Sequence, residues 1–286
     1  MSDRALSVIV VSAGRAAVLL EKLAALEQQG LAAEELEVVL LDNACPQRVG
    51  AQAQARRWPF ALQVITSDVR LSAAQARCRA AALARAPLLW LSDDDCVPDP
   101  GAAAHHLAHH DTPGRVVIGS VRYVSQARTT LWRPRRVGPL QVTGANTTLE
   151  RSAFLRSCAA GLRLPRRYGA EDGMVGLQLQ QAGAQFVAAP DATVEHRGSD
   201  PMHGDDLDKA FSAGYNAVAL AQRWPAAAWD LGVHPLQLGL KALAVSSLTE
   251  RCWPRSARGR VRYERAYLHG ARSARADGAH VEEEST

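Results

Sequence analysis

Short apolar runs alternate with longer helical patterns in the first hundred residues of the chain. Four runs are too short for helices and read as buried strands: residues 6–11, 37–41, 62–66 and 87–91. Three helices are predicted between them: residues 15–29, 47–57 and 71–85. Strands that alternate with helices of this length indicate βαβ units and a parallel sheet. With right-handed crossovers, the strand ends open at one edge of that sheet.

Beyond residue 100 both patterns continue in a less regular order. Further strands are predicted at residues 116–124, 141–149, 186–189 and 192–196. Further helices are predicted at residues 100–110, 150–158, 172–183, 205–224 and 234–253. Residues 125–139 read as a loop near phosphates or a mobile lid, because arginines are frequent there. The pattern predicts an α/β fold with a mixed, mostly parallel sheet flanked by helices and followed by a helical extension.

Composition allows a full core, and the distribution of charge suggests the class of ligand. Of the 286 residues 47% are apolar, which is ordinary for a globular protein. The net charge is only +4, but basic residues crowd residues 133–136, 163–167 and 251–265. Such clusters suit phosphate-bearing substrates or an anionic surface. No recognised nucleic-acid-binding module is present, so nucleic acid is not an expected partner.

The cysteines and the longest apolar stretch lead to an expected location. Five cysteines form no C-x-x-C pair and are odd in number. Since the sequence also starts without a secretory signal, we expect a reduced, cytoplasmic protein. The longest apolar stretch, residues 236–248, is broken by Lys241 and is too short to span a bilayer. We therefore expect the protein to be soluble, or at most peripheral on the inner face of a membrane.

The strand at residues 87–91 runs through Ser92 into three aspartates, Asp93, Asp94 and Asp95. In open α/β sheets, ligands bind at this carboxyl edge. In an extended segment Asp93 and Asp95 point to one side, where their charges repel unless a cation neutralises them. Oxygen ligands in that number suit Mg²⁺ or Mn²⁺, usually shared with substrate phosphates. The alternative is a solvated turn that caps the next helix.

Two further acidic positions lie at the ends of predicted elements. Asp42 and Asn43 end the second strand and so share the edge with the aspartates. A carboxylate there suits a ribose or a base, and an ordinary turn is an equal alternative. Glu171 and Asp172 begin a helix, where simple capping is the alternative to catalysis. The single-glycine turn at Gly14 is not a G-x-G-x-x-G fingerprint, so a dinucleotide site is not expected.

Histidines are concentrated in one predicted helix and at the end of one strand. The helix carries His105, His106, His109 and His110. Residues four apart share a helix face and could hold a metal, but no carboxylate or cysteine lies beside them. An exposed run is the favoured interpretation. His196 ends the last predicted strand.

Taken together, residues 6 to about 225 resemble the family 2 glycosyltransferases with a GT-A fold. The resemblance rests on S-V-I-V, E-V-V-L-L-D-N, L-S-A-A-Q-A-R, W-L-S-D-D-D-C-V-P-D-P, T-G-A-N-T-T-L-E-R-S-A-F and G-A-E-D with the helix that follows. The D-D-D triplet and the E-D pair, in this order and context, are the specific part. The resemblance implies metal-dependent, inverting transfer of a sugar from a nucleotide-diphosphate sugar, with a UDP-sugar favoured, to an acceptor nucleophile.

The resemblance also implies residue roles. Asp172 would be the general base, with Glu171 orienting it or the donor sugar. The triplet would be the D-x-D element, and Mn²⁺ or Mg²⁺ would be held by Asp95, Asp93 and His196. The implied contacts to the nucleotide-sugar are Ser12, Gly14, Arg15, Asp42, Asn43, Arg77, Asp93, Asp94 and Asn146.

The resemblance also implies a domain arrangement. Residues 1–225 would form the catalytic domain, with a nucleotide-binding half at 1–100 and an acceptor half at 101–225. Beyond the resemblance, the pattern and composition of the remaining residues predict a basic helical extension at 226–275 and a disordered tail at 276–286. The first strand departs from the family's usual Pro-Thr-(Tyr or Arg)-Asn ending, since Val11-Ser12-Ala13-Gly14-Arg15 stands there. That departure affects the choice of nucleotide more than the reaction class.

Other functions and partners stay open at this point. A sugar-phosphate nucleotidyltransferase would need a longer glycine-rich basic loop after the first strand. A non-catalytic nucleotide-sugar-binding module of the same fold is the second alternative. The acceptor could be a glycan, a lipid-linked sugar, a peptide or a small metabolite. The basic segment 251–265 reads either as a solvated face packed on the catalytic domain, which is favoured, or as a surface that docks on anionic lipid.

Overall fold

A computed structural model describes residues 5–124, 129–166, 168–197, 206–246, 253–254 and 257–283. The chain divides into two compact units. The N-terminal unit comprises Met1–Ala159 and Val175–Gly198, and the C-terminal unit comprises Ala160–Met174 and Ser199–Thr286. This division does not follow the expected boundary at residue 225, because residues 160–174 and 199–225 group with the C-terminal helices.

A mixed sheet forms the centre of the N-terminal unit. Its strands are β1 (Leu6–Ser12), β2 (Leu36–Asn43), β3 (Ala61–Ser67), β4 (Leu88–Leu91), β5 (Cys96–Pro98), β6 (Arg115–Val124), β7 (Thr129–Trp132), β8 (Thr147–Glu150) and β10 (Gln185–His196). The order in the sheet is β3-β2-β1-β4-β8-β6-β10-β5, with β7 on β6. The first four of these are parallel, β8 is antiparallel to both neighbours, and β6 is parallel to β10. The predicted α/β class and parallel start are confirmed.

Alternate residues of the central strands pack against helices on opposite faces of the sheet. Along β1, Val8 and Val10 belong to one apolar cluster, whereas Ile9 belongs to the other. The helices of this unit are α1 (Ala16–Ala25), α2 (Val49–Gln54), α3 (Ala73–Leu83), α4 (Ala102–Leu107) and α5 (Arg151–Ala159). Because both faces are covered, the strands read as continuous apolar runs in the sequence.

The C-terminal unit is built mainly from helices. Its helices are α7 (Leu207–Arg223), α8 (Pro235–Ala244) and α9 (Arg258–Asp277), and α6 (Glu171–Gln181) begins in this unit. Small residues let α7 and α9 approach closely. A Cβ at Gly214 would lie 2.0 Å from the carbonyl oxygen of Tyr267, and one at Gly270 would lie 1.9 Å from that of Phe211. A larger residue at either glycine would therefore separate the helices.

Several predicted elements differ from the observed ones. Residues 141–149 form a strand only at β8, since their first half is a turn that brings Gly144 close to α3. Residues 186–196 form the single strand β10, with an irregularity between Ala189 and Thr193. Part of the expected loop at 125–139 is strand β7, which pairs with β6, while residues 125–128 lie outside the described residues.

The expected disordered tail and the expected reduced thiols are also corrected. Helix α9 continues to Asp277, and β11 (Glu282–Glu283) pairs with β9 (Leu162–Arg163), while residues 284–286 lie outside the described part. Cys78 of α3 and Cys158 of α5 form a disulfide, and Cys45 and Cys96 are free. The sequence did not reveal this pair because its members lie 80 residues apart and only packing of the two helices brings them together.

Candidate active site

The three aspartates after β4 lie in a tight turn. The turn is closed by a 3.0 Å hydrogen bond that the backbone N–H of Cys96 donates to the carbonyl oxygen of Asp93. Strand β5 then pairs with the antiparallel strand β10, which requires the chain to turn directly after β4. The extended arrangement with Asp93 and Asp95 on one side is therefore wrong. Each carboxylate instead contacts a basic side chain of the protein.

Asp93 pairs with an arginine from α3. The Nη2 atom of Arg77 lies 2.6 Å from Oδ1 of Asp93, and the Arg77 side chain is only 10% exposed. Burial raises the pKa of Asp93, but the charge and hydrogen bond of Arg77, together with His196 and Lys22, bring this pKa below its usual value. A Cβ at residue 144 would lie 1.9 Å from Nη2 of Arg77. Gly144 therefore leaves the space that Arg77 occupies.

Asp94 and Asp95 share Arg15, which lies just after β1. Ser12 donates a 2.6 Å hydrogen bond to Oδ2 of Asp94, and Nη2 of Arg15 lies 3.3 Å from its Oδ1. The same guanidinium also contacts Oδ2 of Asp95. Burial raises the pKa of Asp94 to about 6, although Arg15 and Ser12 oppose this. Because arginines already offset the carboxylate charges, repulsion among the aspartates does not by itself require a metal ion.

A buried lysine also stabilises this turn, and the sequence analysis did not predict its contacts. Lys22 of α1 is fully buried, and its Nζ donates hydrogen bonds to Oγ of Ser92 and, at 2.7 Å, to the carbonyl oxygen of Cys96. Burial lowers its pKa, and the nearby aspartates oppose this effect. An unusual lysine among apolar helix positions was the signal in the sequence. Lys22 positions the turn and does not face solvent.

The end of β10 brings His196 to the turn, one hundred residues away along the chain. Its Nε2 atom lies 3.7 Å from Oδ1 of Asp95, and its ring centre lies 5.3 Å from that of Tyr123. His196 is paired with Cys96 in the strand register. Ligand atoms of Asp95, Cys96 and His196 lie within 4.8 Å of one another. The sequence reasoning missed Cys96 because nothing in a single apolar strand position indicates a ligand.

This group of side chains fits a divalent metal ion. A carboxylate and an imidazole are donors that Mn²⁺ accepts, and a neighbouring thiol adds a softer donor. Within the described residues, the buried Nδ1 atom of His196 has no hydrogen-bond partner. A buried polar atom without a partner is costly unless a ligand satisfies it. Asp93 does not join this group, since its carboxylate faces Arg77.

Two residues expected to read the nucleotide use their side chains inside the protein. Asp42 accepts hydrogen bonds from the backbone N–H groups of Cys45 at 3.1 Å and Gly50 at 2.9 Å. Asn43 exchanges hydrogen bonds of 3.0 Å and 2.9 Å with the backbone of Leu71. Both side chains are buried and order the loops beside the site. These contacts agree with the alternative given above for Asp42 and Asn43, in which both residues stabilise a turn.

Asn146 is likewise a fully buried internal residue. Its Oδ1 accepts hydrogen bonds from Trp90 at 2.9 Å and from His106 at 2.7 Å, and its Nδ2 donates to the carbonyl oxygens of Ser120 and Ala192 at 2.8 Å each. In this arrangement every hydrogen-bonding group of Asn146 is used within the protein. A direct contact with a nucleotide-sugar would require breaking one of these bonds.

The expectation of an exposed histidine run is wrong for three of the four histidines, since only His105 is exposed and His109 is partly buried. His106 is fully buried, and His110 is partly buried, with its Nε2 2.8 Å from Oγ1 of Thr148. Thr148 also lies 3.1 Å from Nδ1 of His106. These rings therefore stabilise the packing of α4 on β8. The sequence-based preference against a metal site in this helix stays a prediction.

Glu171 and Asp172 lie in the C-terminal unit, at the start of α6, and both are half-buried. The loop before them is held by Asn216 of α7, which is fully buried. The Asn216 amide accepts a hydrogen bond from the N–H of Arg166 and donates to the carbonyl oxygens of Arg166, Tyr168 and Gly169, with distances from 2.8 to 3.1 Å. Asn216 was not predicted from the sequence, because a single asparagine within a helical pattern does not indicate a contact with a distant loop.

Comparison with known proteins identifies the family. The sequence pattern that defines glycosyl transferase family 2 matches residues 7–167, which is more than half of the chain. The chain belongs to glycosyl transferase family 2. No curated protein matches this family 2 chain significantly in sequence.

Solved structures with the same fold confirm the expected GT-A architecture. The mannosyltransferase PcManGT from Pyrobaculum calidifontis, in complex with GDP-Man and Mn²⁺, has a TM-score of 0.66 and 18% identity, covering 95% of this chain and 87% of that chain. S. aureus TarS 1–349, in complex with UDP-GlcNAc, has a TM-score of 0.54 and 16% identity, covering 96% of this chain and 92% of that chain. At these identities the likeness shows the fold of this glycosyltransferase, including its C-terminal helices. In the described part of the chain, no helix has the length and apolar character to cross a bilayer.

Proposed function

We propose that this family 2 glycosyltransferase moves a sugar from a nucleotide-diphosphate sugar to an acceptor nucleophile, with a divalent metal ion and with inversion. The observation that carries the proposal is the cluster of Arg15, Arg77, Asp95 and His196 at the carboxyl edge of the sheet. Such an edge is where α/β folds bind nucleotides. Two solved structures with the same fold contain GDP-Man and UDP-GlcNAc, which supports this donor class.

The chain's own cations would bind the diphosphate. The Arg15 side chain is 55% exposed and can move from the aspartates to a phosphate oxygen, which accepts the planar guanidinium at two points. Arg77 is held by Asp93 and adds positive charge close to the same edge. Asp93 would then accept hydrogen bonds from ribose or sugar hydroxyls.

Asp95 and His196 would hold the metal ion, with Cys96 beside them. A bound Mn²⁺ or Mg²⁺ would neutralise charge on the departing diphosphate. We assign Asp93 to the donor and not to the metal, because its carboxylate pairs with Arg77.

Asp172 would accept the proton of the acceptor hydroxyl or amine as the new glycosidic bond forms. Asp172 lies in the first turn of α6, where the helix dipole favours negative charge. Glu171 would orient Asp172 or the donor sugar. Attack from the side opposite the leaving diphosphate inverts the anomeric centre, and NMR of the product would show retention if this step is misassigned.

The resemblance favours a UDP-sugar as the donor. Since the side chains of Asp42 and Asn43 bond to backbone groups of the protein, other residues would recognise the nucleotide base. Thermal unfolding in the presence of Mn²⁺ and UDP, GDP, CDP, dTDP or ATP tests this. A ligand at one hundred times its dissociation constant adds about 2.7 kcal/mol to the stability of the folded state. We expect a metal-dependent rise in Tm with one diphosphate. Equal Tm values with all nucleotides would contradict the donor site.

The Asp172→Asn variant tests the catalytic assignment. A missing general base lowers turnover by about 10²- to 10⁴-fold, while the binding of the donor diphosphate should not change. Asp208→Asn, at an exposed position in the first turn of α7, is the matched control and should keep full activity. Full activity of Asp172→Asn would refute the assignment, and donor binding without turnover in the wild type would favour a non-catalytic module.

A further inference from the structure

Helix α8 exposes an entirely apolar face. Its exposed positions recur every three to four residues along the whole helix: Pro235, Leu236, Gly239, Leu240, Leu243 and Ala244. The three leucines are 67%, 67% and 71% exposed. Burial of apolar side chains is favourable, so a face with three leucines in water requires an explanation. The opposite face packs into the unit through Leu238.

Tryptophans lie at both ends of this helix. Trp229 is 54% exposed, and its ring centre lies 5.2 Å from that of His234, the residue that caps α8. Trp253 is 39% exposed, and its indole N–H donates a 3.0 Å hydrogen bond to the carbonyl oxygen of Ala244 at the other end. Indole rings favour the boundary between hydrocarbon and water, where one part is apolar and the other hydrogen-bonds.

Basic side chains lie near the C-terminal half of α8. Arg265 of α9 donates a 2.9 Å hydrogen bond to the carbonyl oxygen of Val245. Arg260 and Lys241 both lie within 4.0 Å of the same Glu264 carboxylate, which places the start of α9 beside α8. Arg258, Arg260 and Arg262 are exposed. This surface, which we call the α8 face, therefore combines apolar side chains with a surplus of positive charge.

We propose that the α8 face docks on the surface of an anionic phospholipid bilayer. An interfacial helix carries apolar residues on one side and basic residues around them, as this surface does. Each arginine near an anionic membrane adds electrostatic attraction that salt weakens. A second copy of the chain fits less well, since ten residues of helix are about 15 Å long and cover far less than the roughly 800 Å² per partner of a standard interface. Two positively charged faces would also repel.

Co-sedimentation of the full chain with vesicles tests this proposal. Vesicles of phosphatidylcholine with about one-third phosphatidylglycerol should bind the protein, and binding should weaken as salt rises. Vesicles of phosphatidylcholine alone should bind it weakly. Binding that does not require the anionic lipid, or no binding at all, would overturn the proposal.

Two variants separate the apolar and the charged contributions. Leu240→Gln should weaken vesicle binding about tenfold, because one leucine no longer enters the interface. Arg260→Gln combined with Arg262→Gln should reduce the dependence on salt. Val69→Gln, at a residue of the N-terminal unit that is 71% exposed, is the matched control and should bind as the wild type does. Equal binding by Leu240→Gln and the wild type would overturn the role of the α8 face.

The oligomeric state shows whether a second copy of the chain, and not a lipid surface, covers the α8 face. A dimer without lipid that is lost in Leu240→Gln would show that the face joins two copies of the chain, and the lipid proposal would fall. Since Leu240 is exposed, Leu240→Gln should unfold at the same temperature as the wild type. Asp172→Asn should bind vesicles normally, so failure of the lipid proposal and failure of the catalytic assignment are distinguishable.

Discussion

Buried polar side chains of the N-terminal unit differ in whether their hydrogen-bonding groups are all used within the protein. Asn146 uses all of them, so it stabilises the core. Asp94 and Asp95 are instead held by Arg15, whose side chain is exposed, so in the proposed function a ligand would replace it. This difference separates residues that can serve a ligand from residues that support the fold, although both kinds are polar and buried.

The buried histidines predict a loss of stability in acid. Burial lowers the pKa of His106 to about 3 and that of His110 to about 4, with neighbouring histidines adding to the effect and Glu150 opposing it for His110. The unfolded chain, with histidine pKa values near 6.5, therefore binds these protons first. Stability should be full above about pH 6.5 and fall as the pH decreases towards 4, by about 1.4 kcal/mol per pH unit for a fully linked proton.

Urea denaturation at pH steps from 8 to 5 measures this effect. His106→Gln should give a shallower decline, even though it lowers the stability at pH 8 by removing buried hydrogen bonds. The slope against pH is the readout, since a merely destabilising substitution would shift the curve without changing its slope. Equal slopes for the wild type and the variant would show that His106 does not titrate on unfolding.

At the scale of elements, two strands and one turn assemble the candidate metal site. Strand β4 delivers the aspartates, and β10 delivers His196 through its antiparallel pairing with β5. Helix α1 supplies Lys22 and α3 supplies Arg77, each from a different face of the sheet. The site therefore depends on sheet order, because the contributing residues are far apart in sequence.

Helix α7 holds the loop that leads to the proposed general base. Gly169 has a φ of +85°, and its Cβ position would lie 2.9 Å from Ala213, so the loop packs directly on α7. Asn216→Ala would leave several buried backbone groups without partners and should lower the free energy of unfolding by about 2 kcal/mol or more. It should also reduce kcat, since Asp172 follows this loop. Gln222→Ala, exposed on the same helix, should change neither quantity.

Thermal and denaturant unfolding together with initial-rate kinetics measure the two effects. A lower Tm with unchanged kcat would mean that Asn216 contributes only to stability. Wild-type stability of Asn216→Ala would contradict the hydrogen bonds between Asn216 and the loop 166–169. The Asn216→Asp variant should also lose stability, because a carboxylate cannot donate to three carbonyl oxygens.

At the scale of the molecule, the disulfide between α3 and α5 links two helices on the same side of the sheet. It closes a loop between residues 80 positions apart, which restricts the unfolded chain. Reduction should therefore lower the stability by about 2–4 kcal/mol. Denaturation with and without a reductant measures the change. Cys78→Ser combined with Cys158→Ser should show no response to reductant, and a wild type that is equally stable in both conditions would contradict the prediction.

The sequence by itself determined the α/β class, most helices, the parallel start of the sheet and the family, because apolar periodicity and the D-D-D and E-D motifs are local signals. It also placed Asp93, Asp94 and Asp95 at the carboxyl edge. Only the tertiary structure decided that Asn146 is internal, that Lys22 and Cys96 lie at the turn, that Cys78 meets Cys158, and that α8 turns its leucines outward. Each of these depends on contacts between residues far apart in the chain, and burial and pairing at that distance leave no periodic pattern in the sequence.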